Sequence, residues 1–176
     1  MRSKRGFSKS KSGQGTFDMS FGMIFSILLI IFFIVIAFIA IKSFLSTKDC
    51  AQVGIFSDNL QKDIDKAWNS QKSNFEFKAT LPLGLEYICF ADLLKPDKGS
   101  EIDKKIYTEM SIYEQSNANM FLYPREKTCN MPYYTIKHIN LNKTIESRNP
   151  YCIAVKDGSI IIQITKDFNE ALVKIS

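Results

Sequence analysis

Apolar residues are concentrated in one block near the start of the chain. From Phe21 to Ile41 there is no charged residue and no proline, and only Gly22 and Ser26 interrupt the large apolar side chains. A helix needs roughly 20 such residues to cross a hydrocarbon core about 30 Å thick. The block is hydrophobic on every helical face, whereas a core helix of a small soluble domain has a polar side. The sequence therefore predicts one transmembrane helix, which we place at residues 19–45.

A cleaved secretory signal is the alternative explanation for an N-terminal apolar block. Such signals carry an apolar region of about 7–15 residues followed by a small-x-small cleavage site. Here the apolar block is longer, and no Ala-x-Ala triplet follows Ile41. We therefore expect the helix to stay in the protein as a membrane anchor.

Beyond the span, apolar residues recur at spacings of three and four, with lysine and aspartate between them. This pattern predicts an amphipathic helix, the stem, at residues 46–72, with Thr47 or Asp49 as its N-cap. The apolar positions of the stem are Val53, Phe56, Leu60, Ile64 and Trp68. Because the stem follows the span so closely, we expect one continuous helix, lipid-facing at first and then presenting an apolar stripe to the following domain.

The remaining residues, 73–176, carry the patterns of β-strands. Alternation and β-branched or aromatic runs predict strands at 75–81, 86–91, 120–123, 133–139, 151–155, 159–165 and 171–175. Ile102–Gln115 is predicted as a weaker helix or irregular segment, and Asp157-Gly158 as a hairpin turn. The predicted fold class is α+β: a single N-terminal transmembrane helix extends into an amphipathic stem helix, which packs on a small antiparallel β-sheet head.

Charge separates the two ends of the chain. Residues 1–18 form a basic tail whose cations all precede its one acid, Asp18; they are Arg2, Lys4, Arg5, Lys9 and Lys11. This bias predicts a cytoplasmic N-terminus and an extracytoplasmic head. Residues 46–176 carry 17 basic and 17 acidic residues, so the net charge of +5 comes from the tail and helix boundary. The basic charge therefore indicates topology and contact with anionic lipid, and we expect no nucleic-acid partner.

All four cysteines follow the predicted span: Cys50, Cys89, Cys129 and Cys152. An even count on the outer side of a membrane predicts two disulfides, and four cysteines allow three connectivities. We favour Cys50–Cys89 with Cys129–Cys152, because each bridge then closes a loop of moderate length. A four-thiolate zinc site is the alternative, although the chain lacks the C-x-x-C pairs that such sites usually contain.

The chain carries few residues with the pattern of a reactive site. His138, the one histidine, lies between Lys137 and Ile139 in a predicted strand, with no nucleophile and orienting base evident around it. We find no phosphate loop, dinucleotide fingerprint, H-E-x-x-H or EF-hand pattern. We therefore predict no enzyme activity, cofactor or metal, and keep an outer-face hydrolase using His138 as a third hypothesis. Asn142-Lys143-Thr144 is a glycosylation sequon.

Four tyrosines of the predicted head have two interpretations. They are Tyr123, Tyr133, Tyr134 and Tyr151. Exposed tyrosines suit recognition surfaces, whereas tyrosines in strands more often take part in ordinary sheet packing. We favour packing and keep a binding surface as the alternative.

A resemblance to a known family enters at the start of the apolar helix. The segment Gly13-Gln14-Gly15-Thr16-Phe17-Asp18, followed at once by the span, resembles the processing region of archaeal type IV pilin-like proteins, which carry a class III signal peptide. The resemblance implies cleavage after Gly13, with Gln14 as the first mature residue and Asp18 as the acid at the fifth position. Ser12 departs from the family, which usually has a basic residue there.

The resemblance also implies a function. The resemblance implies that the chain is a membrane-anchored structural subunit of a type IV pilus-like assembly. Such a subunit is exported through a prepilin-peptidase route and packs through its hydrophobic helix into homo- or hetero-oligomers. Asp18 would then set the register between subunits; alternatively, it is an interfacial acid favoured by the helix dipole. Gly22 and Ser26, four apart, form a small-xxx-small packing patch or are incidental. The alternative function is a membrane-tethered extracytoplasmic binding or adaptor module that does not assemble.

Overall fold

The computed structural model describes residues 16–176, with side chains from residue 21 onward except that of Ser46. The chain divides into two compact units, Met1–Phe44 and Leu45–Ser176. One helix, α1, runs from Thr16 to Trp68 and is 53 residues long. No proline occurs within this range, so every position after the first turn can donate its backbone hydrogen bond. The continuous helix predicted from the sequence is confirmed.

The described residues of the first unit belong to the N-terminal part of α1. Every side chain from Phe21 to Phe44 is exposed. Within the described part of the chain, α1 is the one helix long and apolar enough to cross a bilayer. It is therefore a candidate membrane span.

The second unit contains two antiparallel sheets and two further α-helices. In chain order these elements are β1 (Ser73–Thr80), β2 (Tyr87–Phe90), α2 (Glu101–Met110), β3 (Met120–Tyr123), β4 (Tyr133–Tyr134), α3 (Leu141–Thr144), β5 (Tyr151–Ala154), β6 (Ser159–Lys166) and β7 (Lys174–Ile175). The three-stranded sheet has the order β1-β6-β7, and the four-stranded sheet has the order β4-β3-β2-β5. The sequence predicted a single sheet in the head, whereas the structure contains two.

The stem residues of α1 bury one face against the three-stranded sheet. Val53, Phe56, Leu60 and Ile64 are almost fully buried, as the sequence predicted. They share a core with inward-facing residues of β1 and β6, and the rings of Phe56 and Phe77 lie 5.9 Å apart. Burying one such side chain contributes about 1.5–3 kcal/mol. The stem and the head therefore form one hydrophobic core.

The helical segment predicted at Ile102–Gln115 is present in two parts. α2 covers its first part, and a 3-10 helix, Ser111–Ser116, follows. Ser100 begins α2 with a capping box, in which its side chain accepts from the Asp103 backbone N–H and the Asp103 carboxylate accepts from the Ser100 backbone N–H. This reciprocal pair satisfies two backbone donors that a helix start otherwise leaves free.

The strand predicted at 133–139 is wrong over most of its length, because only Tyr133–Tyr134 forms a strand and Ile139 makes only an isolated bridge with Val173. After Tyr134, side chains form hydrogen bonds with backbone groups that a neighbouring strand would otherwise bond. The Asn119 amide accepts from the backbone N–H of Ile136 and donates to the Ile136 carbonyl, both at 2.8 Å. His138 then adopts a φ of 64°, in the left-handed region, which ends any strand at this point.

The preferred disulfide pairing is also wrong, although two disulfides are present. The bonds join Cys50 to Cys129 and Cys89 to Cys152. Cys89 and Cys152 are directly opposed partners in the β2–β5 ladder, with Cα atoms 4.0 Å apart. Strand register, and not loop length, therefore selects this pair. The four-thiolate zinc alternative is excluded, because no cysteine remains free.

Candidate assembly surface

The apolar part of α1 is exposed on every side in the described part of the chain. Its large apolar residues from Phe21 to Leu45 are each between 38% and 72% exposed. Contiguous exposed apolar surface on this scale marks a membrane or protein contact in natural proteins. The surface surrounds the helix on all sides, so a single groove on another protein could not cover it.

One polar side chain within this surface, that of Ser26, is satisfied inside the helix. The Ser26 hydroxyl donates to the Gly22 carbonyl at 2.8 Å. A hydroxyl bonded in this way can lie in hydrocarbon without leaving a donor unpaired. A Cβ atom added at Gly22 would meet nothing within 4 Å, so the chain itself gives no packing reason for this glycine. Gly22 and Ser26 thus leave a shallow site on the helix where a second backbone can approach closely.

The predicted processing residues fall largely beyond the structure. Gly13 and Gln14 lie outside the described residues. The backbone of Asp18 lies in the first turn of α1, which begins at Thr16, and its side chain is not described. Cleavage after Gly13 and a register role for Asp18 remain predictions.

The end of the stem is fastened to the head by a cluster around His138. The His138 Nδ1 atom lies 2.9 Å from Asp65 Oδ1. Its ring stacks on Trp68, with centroids 3.8 Å apart and planes 5° from parallel. Both partners belong to the last turns of α1. The left-handed backbone at His138 turns its ring onto this helix, so the residue joins the head to the stem.

Two further side chains extend this attachment. The Gln61 amide accepts from the backbone N–H of Lys137 at 2.8 Å and donates to its carbonyl at 3.4 Å. The ammonium group of Lys166, at the end of β6, donates to the carbonyls of Trp68 and Ser70. These carbonyls lie at the C-terminus of α1, where a helix leaves acceptors unsatisfied and favours a cation. Polar contacts thus fix the end of the stem, while the core fixes its middle.

Within the described residues, no nucleophile lies in hydrogen-bond contact with His138. Its described partners are the Asp65 carboxylate and the Trp68 ring, and no hydroxyl or thiol within the described residues bonds to its ring. A histidine acting as general base needs a nucleophile within hydrogen-bond reach. The same part of the chain contains no group of three His, Cys, Asp or Glu residues able to hold a metal ion. The contacts of His138 are those of a structural residue.

A polar groove opens on the head between the two sheets. Its volume is about 570 Å³, and six of its lining residues carry large side chains: Tyr87, Arg148, Tyr151, Ile153, Lys156 and Ile161. The Arg148 guanidinium donates to the Cys152 carbonyl at 3.1 Å and lies 4.6 Å from the centre of the Tyr151 ring. We call this feature the Arg148 groove. The sequence analysis singled out only Tyr151 of this groove; most of the other lining residues lie close to it in sequence, between Arg148 and Ile161.

The four tyrosines singled out in the sequence do not form one surface. Tyr133 packs on Tyr113, with ring centres 4.9 Å apart, and Tyr134 is half-buried against the main core. Only Tyr151 lines the Arg148 groove. For Tyr133 and Tyr134, the packing interpretation is the one that the structure supports.

Several ionisable groups of the head have raised pKa values. Burial raises the pKa of Tyr134, and the nearby Asp58 carboxylate of the stem adds to the effect. Burial likewise raises the pKa of Tyr107 and of Tyr123. The hydrogen bond to Glu170 raises the pKa of Lys143. All four shifts favour the protonated form in the folded head.

The sequon has two different environments within three residues. Asn142 is exposed and accepts a hydrogen bond from the Lys95 ammonium. Thr144 is buried, and its hydroxyl accepts from the backbone N–H of Ile175 in β7. Glycan attachment at Asn142 remains a prediction.

Comparisons of this chain with protein-family models, with curated proteins and with solved structures found no match.

Proposed function

We propose that this chain is a membrane-anchored, pilin-like structural subunit that assembles through its hydrophobic helix and carries an outward-facing head. The observation that carries the proposal is the change in burial along α1. Residues 21–44 are mostly apolar and are exposed on all sides, whereas the stem that follows is buried on one face by the head. A helix of this kind needs lipid or neighbouring helices around its first part and carries a folded domain on its second.

The proposed orientation has the basic tail in the cytoplasm and the head outside. Two features support it. The cations before Phe21 follow the positive-inside bias. The two disulfides of the head fit an oxidising compartment, because cytosolic thiols are kept reduced. Protease added to intact cells should therefore digest the head and spare the tail.

The proposed processing route is tested by mass. We would purify the protein from its native membrane under non-reducing conditions and measure its intact mass and its N-terminal peptide. A chain that begins at Gln14 would support prepilin-type processing, and Gly13→Leu should then retain the leader. A mature protein that still begins at Met1 would instead favour the membrane-tethered binding module.

Assembly through the helix is tested independently. A photo-crosslinking residue, p-benzoylphenylalanine, would replace Phe32, which is 54% exposed in the middle of the apolar segment. Irradiation of native membranes should give a ladder of covalent oligomers. The matched control places the same residue at Lys62, an exposed position on the polar face of the stem. Monomers from both positions would contradict assembly and leave a tethered, non-assembling module.

A further inference from the structure

The Arg148 groove has an excess of positive charge. Its lining residues include Arg148 and Lys156 but no aspartate or glutamate. Neither cation forms an ion pair with a carboxylate within the described residues. A guanidinium has five N–H donors, and the Cys152 carbonyl takes only one of those on Arg148. The groove therefore offers unused donors for an anionic group.

The groove also has an apolar wall. Ile161, on β6, is 53% exposed and lines the groove together with the Tyr87 and Tyr151 rings. Aromatic residues and arginine are enriched among the interface residues that contribute most to the binding energy. A ligand that matches this groove combines an apolar side chain with a neighbouring carboxylate.

Such a combination occurs on the surface of the same chain. The loop Asp167–Glu170 connects β6 to β7, and we call it the Phe168 loop. Phe168 is 69% exposed, which makes it the most exposed aromatic side chain of the described head. The carboxylate of Asp167, next to it, belongs to an exposed residue and forms no ion pair within the described residues. The loop thus presents an apolar ring and an acid at adjacent positions.

The Phe168 loop cannot reach the groove of its own head. Ser159 and Ile161, at the start of β6, line the groove, whereas the loop follows Lys166 at the end of the strand. An extended strand of eight residues separates its two ends by roughly 25 Å. The loop and the groove therefore lie at opposite ends of the same strand.

We propose that the Phe168 loop of one copy of this chain docks into the Arg148 groove of a second copy. Phe168 packs against Tyr151 and Ile161, and the Asp167 carboxylate pairs with Lys156. The contact uses two different surfaces, so it is heterologous and continues from copy to copy into a ring or an open filament. This inference rests on the proposed function, because it supplies the contact between heads in an assembly of subunits.

The first test locates the contact by crosslinking in native membranes. p-Benzoylphenylalanine would replace Phe168 in the full-length chain, and irradiation should give a dimer that survives reduction. Trypsin should then release the crosslink on residues 149–156 or 157–166 of the second copy, since these peptides carry most of the groove. Leu94, which is 80% exposed elsewhere on the head, is the matched control position and should give no such product.

The second test exchanges the charges. Asp167→Lys and Lys156→Glu should each lower the yield of the Phe168 crosslink by about fivefold, the effect of about 1 kcal/mol, and the double variant should restore it. Asp97→Lys and Lys105→Glu alter exposed charges outside the groove and are the matched controls. Arg148 stays unchanged, because its contacts with Cys152 and Tyr151 also support the fold.

The outcomes separate this inference from the proposed function. Dimers from position 168 that map to the groove support the contact. If position 32 gives oligomers while position 168 gives none, or maps elsewhere, helix assembly stands and the head contact is wrong. A double charge variant no better than the single ones would also contradict the pairing. Monomers from both positions would overturn the inference and the proposed assembly together.

Discussion

The two parts of α1 have the same backbone and opposite surroundings. From Phe21 to Phe44 every side chain is exposed, although nearly all are apolar. In the stem part of α1, which ends at Trp68, the apolar side chains on one face are buried by the head. Helix formation alone therefore does not explain burial. The stem obtains its apolar partners from the same chain, whereas the first part is exposed along its described length.

The difference follows from where charges occur in the sequence. The first part has no charged residue between Phe21 and Ile41, so no face of the helix prefers water. The stem places lysine and aspartate between its apolar positions, and these charges hold one face in solvent. The stem thus has a defined orientation toward the sheet.

The largest expected effect comes from removing a core side chain of the stem. Phe56→Ala should lower the free energy of unfolding of the head by about 3–5 kcal/mol, because it leaves a cavity against Phe77. Phe32→Ala, in the exposed first part of α1, is the matched control and should leave head stability unchanged. Urea unfolding of the full chain in detergent would be followed by fluorescence of Trp68, the one tryptophan.

Equal losses from both phenylalanine variants would contradict this comparison. They would mean that the stability of the head depends on the apolar segment as much as on the stem. No loss from Phe56→Ala would mean that the stem does not share the core of the head in solution.

The next effect concerns the disulfide that joins the start of the stem to the head. The double variant Cys50→Ala, Cys129→Ala should destabilise the head by about 2–5 kcal/mol, because the unfolded chain regains the freedom of a long closed loop. Cys89→Ala, Cys152→Ala is the matched variant that removes the bond within the four-stranded sheet. Proteolysis of native membranes should cut the start of the stem faster only in the first variant.

Similar cleavage rates in both double variants would show that the Cys50–Cys129 bond does not hold the stem locally. Mapping the disulfides by mass spectrometry on the unaltered protein provides the control for the pairing itself. Peptides linking Cys50 to Cys89 would contradict the observed connectivity.

A smaller effect is expected at the end of the stem. His138→Asn keeps a residue type that tolerates the left-handed backbone but removes the stacking on Trp68 and shortens the reach to Asp65. We expect a loss of about 1–2 kcal/mol and a change in Trp68 fluorescence. Lys137→Asn is the control, because the contacts of Lys137 with Gln61 use only its backbone. Identical emission from both variants would contradict the stacking.

Part of this structure follows directly from the sequence. The buried positions Val53, Phe56, Leu60 and Ile64 were predictable, because a helix places residues three and four apart on one face. The same periodicity also placed Trp68 on the apolar face of the stem. Trp68 is 38% exposed, because its ring covers His138 instead of entering the core. Local spacing identifies the face of a helix, and the partner decides how deeply each residue is buried.

The parts that were not predictable depend on distant partners. The strand expected at 133–139 ends early because Asn119 and Gln61 bond to its backbone, and neither is near it in sequence. The pairing of Cys89 with Cys152 depends on the register of two strands. The Arg148 groove lies mostly along the segment from Arg148 to Ile161, but it also needs Tyr87 of β2, which is distant in sequence.

The smallest predicted effect is a loss of head stability at high pH, which should involve the stem but not the first part of α1. Burial and Asp58, on the stem, raise the pKa of Tyr134. A pKa above that of the unfolded chain, which is about 10 for tyrosine, means that folding favours the neutral ring. This stability is fully present below about pH 10 and is lost as the pH rises through the folded pKa. The first part of α1 has no titratable side chain between Phe21 and Ile41, so we expect no such loss there.

Urea unfolding at a series of pH values above about 9 would measure this loss, since tyrosine titrates in that range. Tyr134→Phe should make the decline in stability shallower than in the unaltered protein. Retention of the chain in membranes should stay constant over the same range. If retention fell in parallel with head stability, the two parts of α1 would not be independent, because titration of the head would then also release the apolar segment.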